Sequence, residues 1–73
     1  MRWLEVARDQ YLDLPAQSQD EVVQRIRQLQ DGPHIGAYDA VSDQRVTDYG
    51  DGTGLLLYAV VEEPPTVIVL RIL

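Results

Sequence analysis

The chain has 73 residues, no cysteine and a formal net charge of −6, and all six of its basic residues are arginine. These figures exclude a disulfide-stapled scaffold and a thiolate metal site. They weigh against a nucleic-acid enzyme, because phosphates repel an acidic surface unless the few cations cluster. One domain spanning residues 1–73 is expected. A chain this short buries only about 60% of its unfolded surface, so a partner or a second copy is a natural source of added stability. The longest apolar run, residues 54–61, falls far short of the roughly 20 residues of a membrane span. No basic start followed by an apolar segment marks a signal peptide. The expectation is a soluble, cytoplasmic protein with no cofactor, no metal and no small-molecule ligand.

In chain order, residues 2–7 (Arg-Trp-Leu-Glu-Val-Ala) suit a short strand, with Trp3 as a structural anchor. Residues 8–14 place Tyr11 and Leu14 at helical spacing, and Pro15 ends that helix. Ser18-Gln19-Asp20-Glu21 has capping-box spacing and predicts the start of a second helix. Val22, Val23, Ile26 and Leu29 give this helix one apolar stripe. Gln19, Gln24, Arg27, Gln28 and Gln30 face water. Glu21 and Arg25 form an i,i+4 pair. Asp31-Gly32-Pro33 stops the helix, with Gly32 expected at positive φ.

Residues 34–42 read as a connector. Residues 43–49 alternate weakly around Arg45, Val46, Thr47 and Tyr49 and predict a strand. Residues 50–53 (Gly-Asp-Gly-Thr) predict a turn; they lack the ligand series of a calcium loop and the context of a phosphate loop. The end of the chain organises the rest. Residues 54–61 and 66–73 are two short apolar runs, the second rich in β-branched residues. Glu62 to Pro65 forms the loop between them, and Pro64 and Pro65 block further pairing. The element order is β-α-α-β-β-β. Its fold class is α+β, a helical hairpin packed on one face of a mainly antiparallel sheet.

These residues resemble the RelE/ParE superfamily of bacterial toxins. The resemblance runs from Tyr11 to Ile72. It is carried by Leu12-Asp13-Leu14-Pro15, by the second helix through Ile26 and Leu29 to Asp31-Gly32-Pro33, and by Arg45-Val46 opening the middle strand. The hairpin adds Gly-Leu-Leu-Leu-Tyr-Ala-Val at residues 54–60, ending at Tyr58 to Val60, then Val67-Ile68-Val69-Leu70. The resemblance implies the toxin of a toxin–antitoxin pair, neutralised by an antitoxin that lays extended or helical segments over it. RelE-type members cleave messenger RNA on the ribosome, and ParE-type members poison DNA gyrase. The chain departs from the nuclease pattern. Leu55 stands three residues before Tyr58, where RelE-type nucleases carry arginine. Only Arg71 lies near the end of the last strand, where they carry further basic, histidine or tyrosine residues. RNA cleavage needs cations on the phosphate and groups that move protons, and Leu55 supplies neither.

The hairpin is apolar on both faces. The expected register puts Leu55, Leu57, Ala59, Ile68, Leu70 and Ile72 against the helix stripe. It leaves Leu56, Tyr58, Val60, Val67, Val69 and Arg71 as a partner-binding face. That face would take an antitoxin or a second copy. Arg45 and Arg71 are the catalytic candidates, should the chain act instead as a ribosome-dependent ribonuclease. A non-toxic homodimeric domain that keeps the fold is the third reading. His34, the one imidazole, has no serine, cysteine or carboxylate at a spacing that predicts a triad or a metal site.

Overall fold

A computed structural model describes residues 1–62 and 65–73. The chain runs through β1 (Arg2–Trp3), α1 (Glu5–Leu12), α2 (Ala16–Asp31), β2 (Ala37–Asp39), β3 (Gln44–Tyr49), β4 (Gly54–Val61) and β5 (Thr66–Ile72). The five strands form one sheet in the order β1-β5-β4-β3-β2. β1 is parallel to β5, and every other neighbouring pair is antiparallel. The result is an α+β fold with both helices on one face of a mixed sheet. No helix among the described residues is long and apolar enough to cross a membrane.

The first strand is shorter than its sequence suggests. Leu4 N–H donates to the Val69 carbonyl at 3.0 Å, and the Leu4 carbonyl accepts from Arg8 N–H at 3.0 Å. One residue thus turns the chain from sheet pairing to helix pairing. Val6 and Ala7, expected in the strand, lie in α1. Ala7 is fully buried against the sheet, and its small side chain lets the helix backbone come close. Glu5 occupies the first turn, where the helix dipole favours a carboxylate.

The second helix begins two residues before the expected cap. Pro15 is the N-cap residue, with φ −57°, and no side chain caps the start. Proline has the helical φ already and no N–H to satisfy, so Ser18 falls inside the helix and the capping box does not form. Gln19 serves the preceding helix instead: its Nε2 donates to the carbonyls of Tyr11 (3.0 Å) and Leu12 (3.4 Å) at the end of α1, the Tyr11 carbonyl also accepting from Leu14 N–H. Arg25 pairs with Asp48 of β3 at 3.4 Å rather than with Glu21. Gly32 ends the helix at φ −137°, its N–H bonded to the Gln28 carbonyl. Extended geometry suffices there, and the left-handed conformation expected of Gly32 is not used.

The core has two connected parts. Ala7, Val22 and Ile26 from the helices meet Tyr49, Leu56, Val69 and Ile72 from the sheet, with Trp3, Tyr11 and Leu14 at the border. Leu29 meets Tyr58 and Val67, with Val60 beside them. The predicted apolar stripe of α2 is the buried face, with Val23 half-buried at its margin. The exposed end of β5 is capped by a side chain: Ile72 N–H donates to Gln10 Oε1 of α1 at 2.8 Å. Gln10→Ala leaves that part-buried donor unpaired. We expect a loss of about 1 kcal/mol, read as a fall in Tm of about 4–8 °C. Gln10→Glu keeps the acceptor and should restore most of it.

The connector at residues 34–42 contains the unforeseen strand β2. Besides the antiparallel pairing of β2 with β3, two side chains hold it to the sheet. Gly36 N–H donates to the Tyr58 hydroxyl at 2.9 Å. Arg45 Nη1 donates to the carbonyls of His34 (3.2 Å) and Gly36 (3.0 Å). In the turn at residues 50–53, Gly50, Asp51 and Gly52 all have positive φ, at 61°, 52° and 95°. The Thr53 hydroxyl closes it onto the Gly50 carbonyl at 2.7 Å. Of the predicted hairpin loop, Glu63 and Pro64 lie outside the described residues.

Candidate functional site

The pairing of β4 with β5 decides which side chains a partner can reach. Val61 faces Thr66, Val60 faces Val67, Ala59 faces Ile68 and Tyr58 faces Val69. This is the register a four-residue loop predicts. The register then slips by one: Leu57 faces Arg71 and Leu56 faces Ile72, leaving Leu70 as the extra residue of a β-bulge. The bulge lets Val69 and Ile72, three residues apart, both turn toward the helices. It also moves Arg71 to the other side.

The expected assignment of faces is therefore inverted along β4 and up to the bulge in β5, while beyond it Ile72 lies under the helices and Arg71 on the open face as expected. Leu56, Tyr58 and Val69 are fully buried and Val67 nearly so, beneath α1 and α2. Val60 is half-buried on the same side. The first four form core and present nothing to a partner, and Val60 packs at the core's edge. Arg71 alone of the six expected docking residues is exposed, and it stands opposite Leu57 on the far face. No local signal chose between the faces, because both sides of the hairpin are apolar.

The open face consists of what remains. Leu55, Leu57, Ala59 and Val61 of β4 alternate with the buried set. Ile68, Leu70 and Arg71 of β5 lie beside them, with Val46 of β3 opposite Leu57 and Arg2 of β1 opposite Ile68. Both helices occupy the other side. Leu55 and Val61 are 44% and 49% exposed, and Leu57, Ala59, Ile68 and Leu70 are half-buried by their strand neighbours. Among the described residues neither Arg2 nor Arg71 has an ion-pair partner. The face is thus an aliphatic band with two guanidinium groups, unpaired among the described residues, at its β1–β5 border and Asp48, opposite Leu55 and paired with Arg25, at its β3 edge.

A second, polar cluster sits where the connector meets the sheet, around a cleft of about 360 Å³ lined by His34, Tyr38, Asp43, Arg45, Val60 and Glu62. His34 Nε2 lies 2.7 Å from Glu62 Oε1, both side chains more than half exposed. The partner of His34 is 28 residues away in sequence, so no local spacing announced it. Arg45 lies over the Tyr38 ring at 5.1 Å, a cation–π arrangement. Its Nη1 is committed to two backbone carbonyls.

The Tyr38 hydroxyl donates to Asp43 Oδ1 at 2.5 Å. That bond raises the phenol above its ordinary value of 10.0, with partial desolvation and the Asp43 charge adding to it and Arg45 opposing. The neutral phenol is the form the fold favours. Its contribution is present at neutral pH and is lost as pH rises above 10 through the raised folded value. Following phenolate absorbance near 295 nm, we expect Asp43→Asn to lower the midpoint of this exposed tyrosine. An unchanged midpoint would contradict the bond.

The cleft sets two carboxylates against one permanent cation, and that balance opposes a phosphate. Arg45 faces the helix side, opposite Tyr58, whereas Arg71 lies on the open face. The two catalytic candidates are on opposite sides of the sheet and do not converge on one phosphate. The cluster's evident work is to hold the connector against β3 and β4. No protein-family model matches the chain, and no curated protein or solved structure matches it either.

Proposed function

We propose that this chain is a toxin-like component of a toxin–antitoxin pair, related to the RelE/ParE superfamily and acting through protein–protein contact. One observation carries the reading. The open sheet face is an aliphatic band, uncovered by either helix and bordered by two arginines without ion-pair partners among the described residues. A lone sheet normally turns polar residues to water, and a contiguous apolar patch is what a protein partner covers. The occupant that fits is an antitoxin-type protein segment with apolar residues flanked by carboxylates, which the guanidinium groups of Arg2 and Arg71 can hold in bidentate fashion. The helical hairpin on one face of the sheet supports the kinship. The separation of Arg45 from Arg71, and the acidic balance of the polar cleft, count against the ribonuclease alternative.

Induced expression in a bacterial host tests the reading. The expected result is growth arrest with cellular RNA intact, lost in Leu57→Glu while the folded circular dichroism spectrum is kept. RNA cleavage abolished by Arg45→Ala would make the chain a nuclease. Absence of arrest, with a dimeric mass by light scattering, would make it a non-toxic homodimer.

A further inference from the structure

On the other layer of the molecule, β1, α1 and α2 enclose an apolar groove of about 490 Å³ lined by Trp3, Arg8, Tyr11, Leu12 and Val23. Its floor is the edge-to-face pair of Trp3 and Tyr11, with ring centroids 5.3 Å apart. Arg8 is the only charged residue in the lining, and its side chain has no ion-pair or hydrogen-bond partner among the described residues. Leu12 is 59% exposed and Leu4 45%. Arg8 and Leu12 are one turn apart on α1, and Leu4, the extended residue at the N-cap, precedes Arg8 at the same four-residue spacing; all three are exposed. The helix with its N-cap residue therefore offers apolar, cationic and apolar groups in sequence beside the groove.

We infer that this groove and stripe bind an amphipathic helix of a partner protein that presents apolar, acidic and apolar side chains at four-residue spacing. Charge complementarity chooses the occupant. An apolar side chain fills the aromatic groove, and a carboxylate one turn away meets Arg8, which has no ion-pair partner among the described residues. A second copy docking through the same stripe fails on this ground: a two-fold contact centred here sets Arg8 against Arg8. The surface is distinct from the open sheet face, and the inference stands or falls independently of the toxin reading.

Trp3 is the only tryptophan and lines the groove, so its fluorescence reports occupancy directly. The probes are three N-acetylated, alanine-based helical peptides of about 16 residues with leucine, glutamate and leucine at four-residue spacing, glutamine or lysine replacing the glutamate in two of them. The glutamate peptide should shift Trp3 emission saturably. The glutamine peptide should bind about threefold more weakly and the lysine peptide about tenfold more weakly. Arg8→Glu, at an exposed position, should keep the circular dichroism spectrum and reverse that order. Leu12→Gln should weaken all three. Equal affinity for the three peptides, no saturable change in Trp3 emission, or a homodimer that shields Trp3 would overturn the inference.

Discussion

Tyr58→Ala should leave this domain largely unfolded at 25 °C, while Leu57→Ala, one residue away, should leave it folded. Tyr58 is the largest of the fully buried side chains, packed on Leu29 and Val67. Its truncation removes that packing, opens a cavity and strips the acceptor from Gly36 N–H. The usual cost of such a deletion is about 3–5 kcal/mol, most or all of the stability of a domain this small. Leu57 lies on the open face, half-exposed and without a helix above it, so its truncation should cost about 1 kcal/mol or less. Urea unfolding of the two variants measures the difference. Similar losses for both would mean that the open face is covered. A mild Tyr58→Ala phenotype would mean that the helices pack elsewhere.

The second large effect is expected at a glycine. Gly54 opens β4 opposite Tyr49, and a methyl group there would strike the Leu73 carbonyl oxygen and the Tyr49 hydroxyl. Those two atoms are hydrogen-bonded to each other at 3.0 Å. The same carbonyl accepts from Leu55 N–H, while Leu73 N–H donates to the Leu55 carbonyl. One added carbon therefore pushes on the pairing of β4 with the end of β5, on a buried tyrosine and on a bond between them. Gly54→Ala should cost about 2–3 kcal/mol and lower the thermal midpoint by 10 °C or more on the usual scaling of about 4–8 °C per kcal/mol. Gly52→Ala is the control. Its Cβ would meet nothing within 4 Å, and only its φ of 95° makes it costly. Thermal melts in which Gly54→Ala is no worse than Gly52→Ala would contradict the close approach.

The contrast between these glycines separates what a sequence announces from what it hides. Gly50-Asp51-Gly52-Thr53 is a turn by composition. The tight contact at Gly54 depends on where Leu73 ends up, which no local pattern records. The hairpin itself was legible because residues 66–72 are β-branched or aliphatic except for Arg71, and the loop length set the pairing of Val61 with Thr66. The facing was not, because both sides of β4 and β5 are apolar and simple alternation cannot choose between them. The bulge at Leu70 compounded this: counting by twos places Ile72 with Leu57, whereas the extra residue places it with Leu56.

The site residues divide along the same line. Arg45 was identified as a sheet arginine, but its place on the helix side followed only from its pairing with Tyr58. His34 and Glu62 come together through the connector's attachment to β3, a tertiary effect. Strand β2 is held by Arg45 and Tyr58 from elsewhere in the chain as well as by its own Tyr38 and Asp39. Its three residues are all exposed, and they carry little of the β-branched signal seen in β5. At α2, the competition between two start signals was settled by Pro15, whose φ is already near the helical value and which has no N–H to satisfy, over the hydrogen bonds Ser18 would have made.

The account rests on one assignment: Val69 lies beneath the helices and Leu57 on the open face. The chain contains no cysteine, so a single introduced thiol reports its own exposure without background. Native-state labelling of Leu57→Cys should proceed at nearly the rate of the unfolded chain. Labelling of Val69→Cys should be slower by about a hundredfold or more, since that site opens only when the core does. Rapid labelling of Val69→Cys with protection of Leu57→Cys would place the helices on the opposite face, and the proposed docking surface would be core.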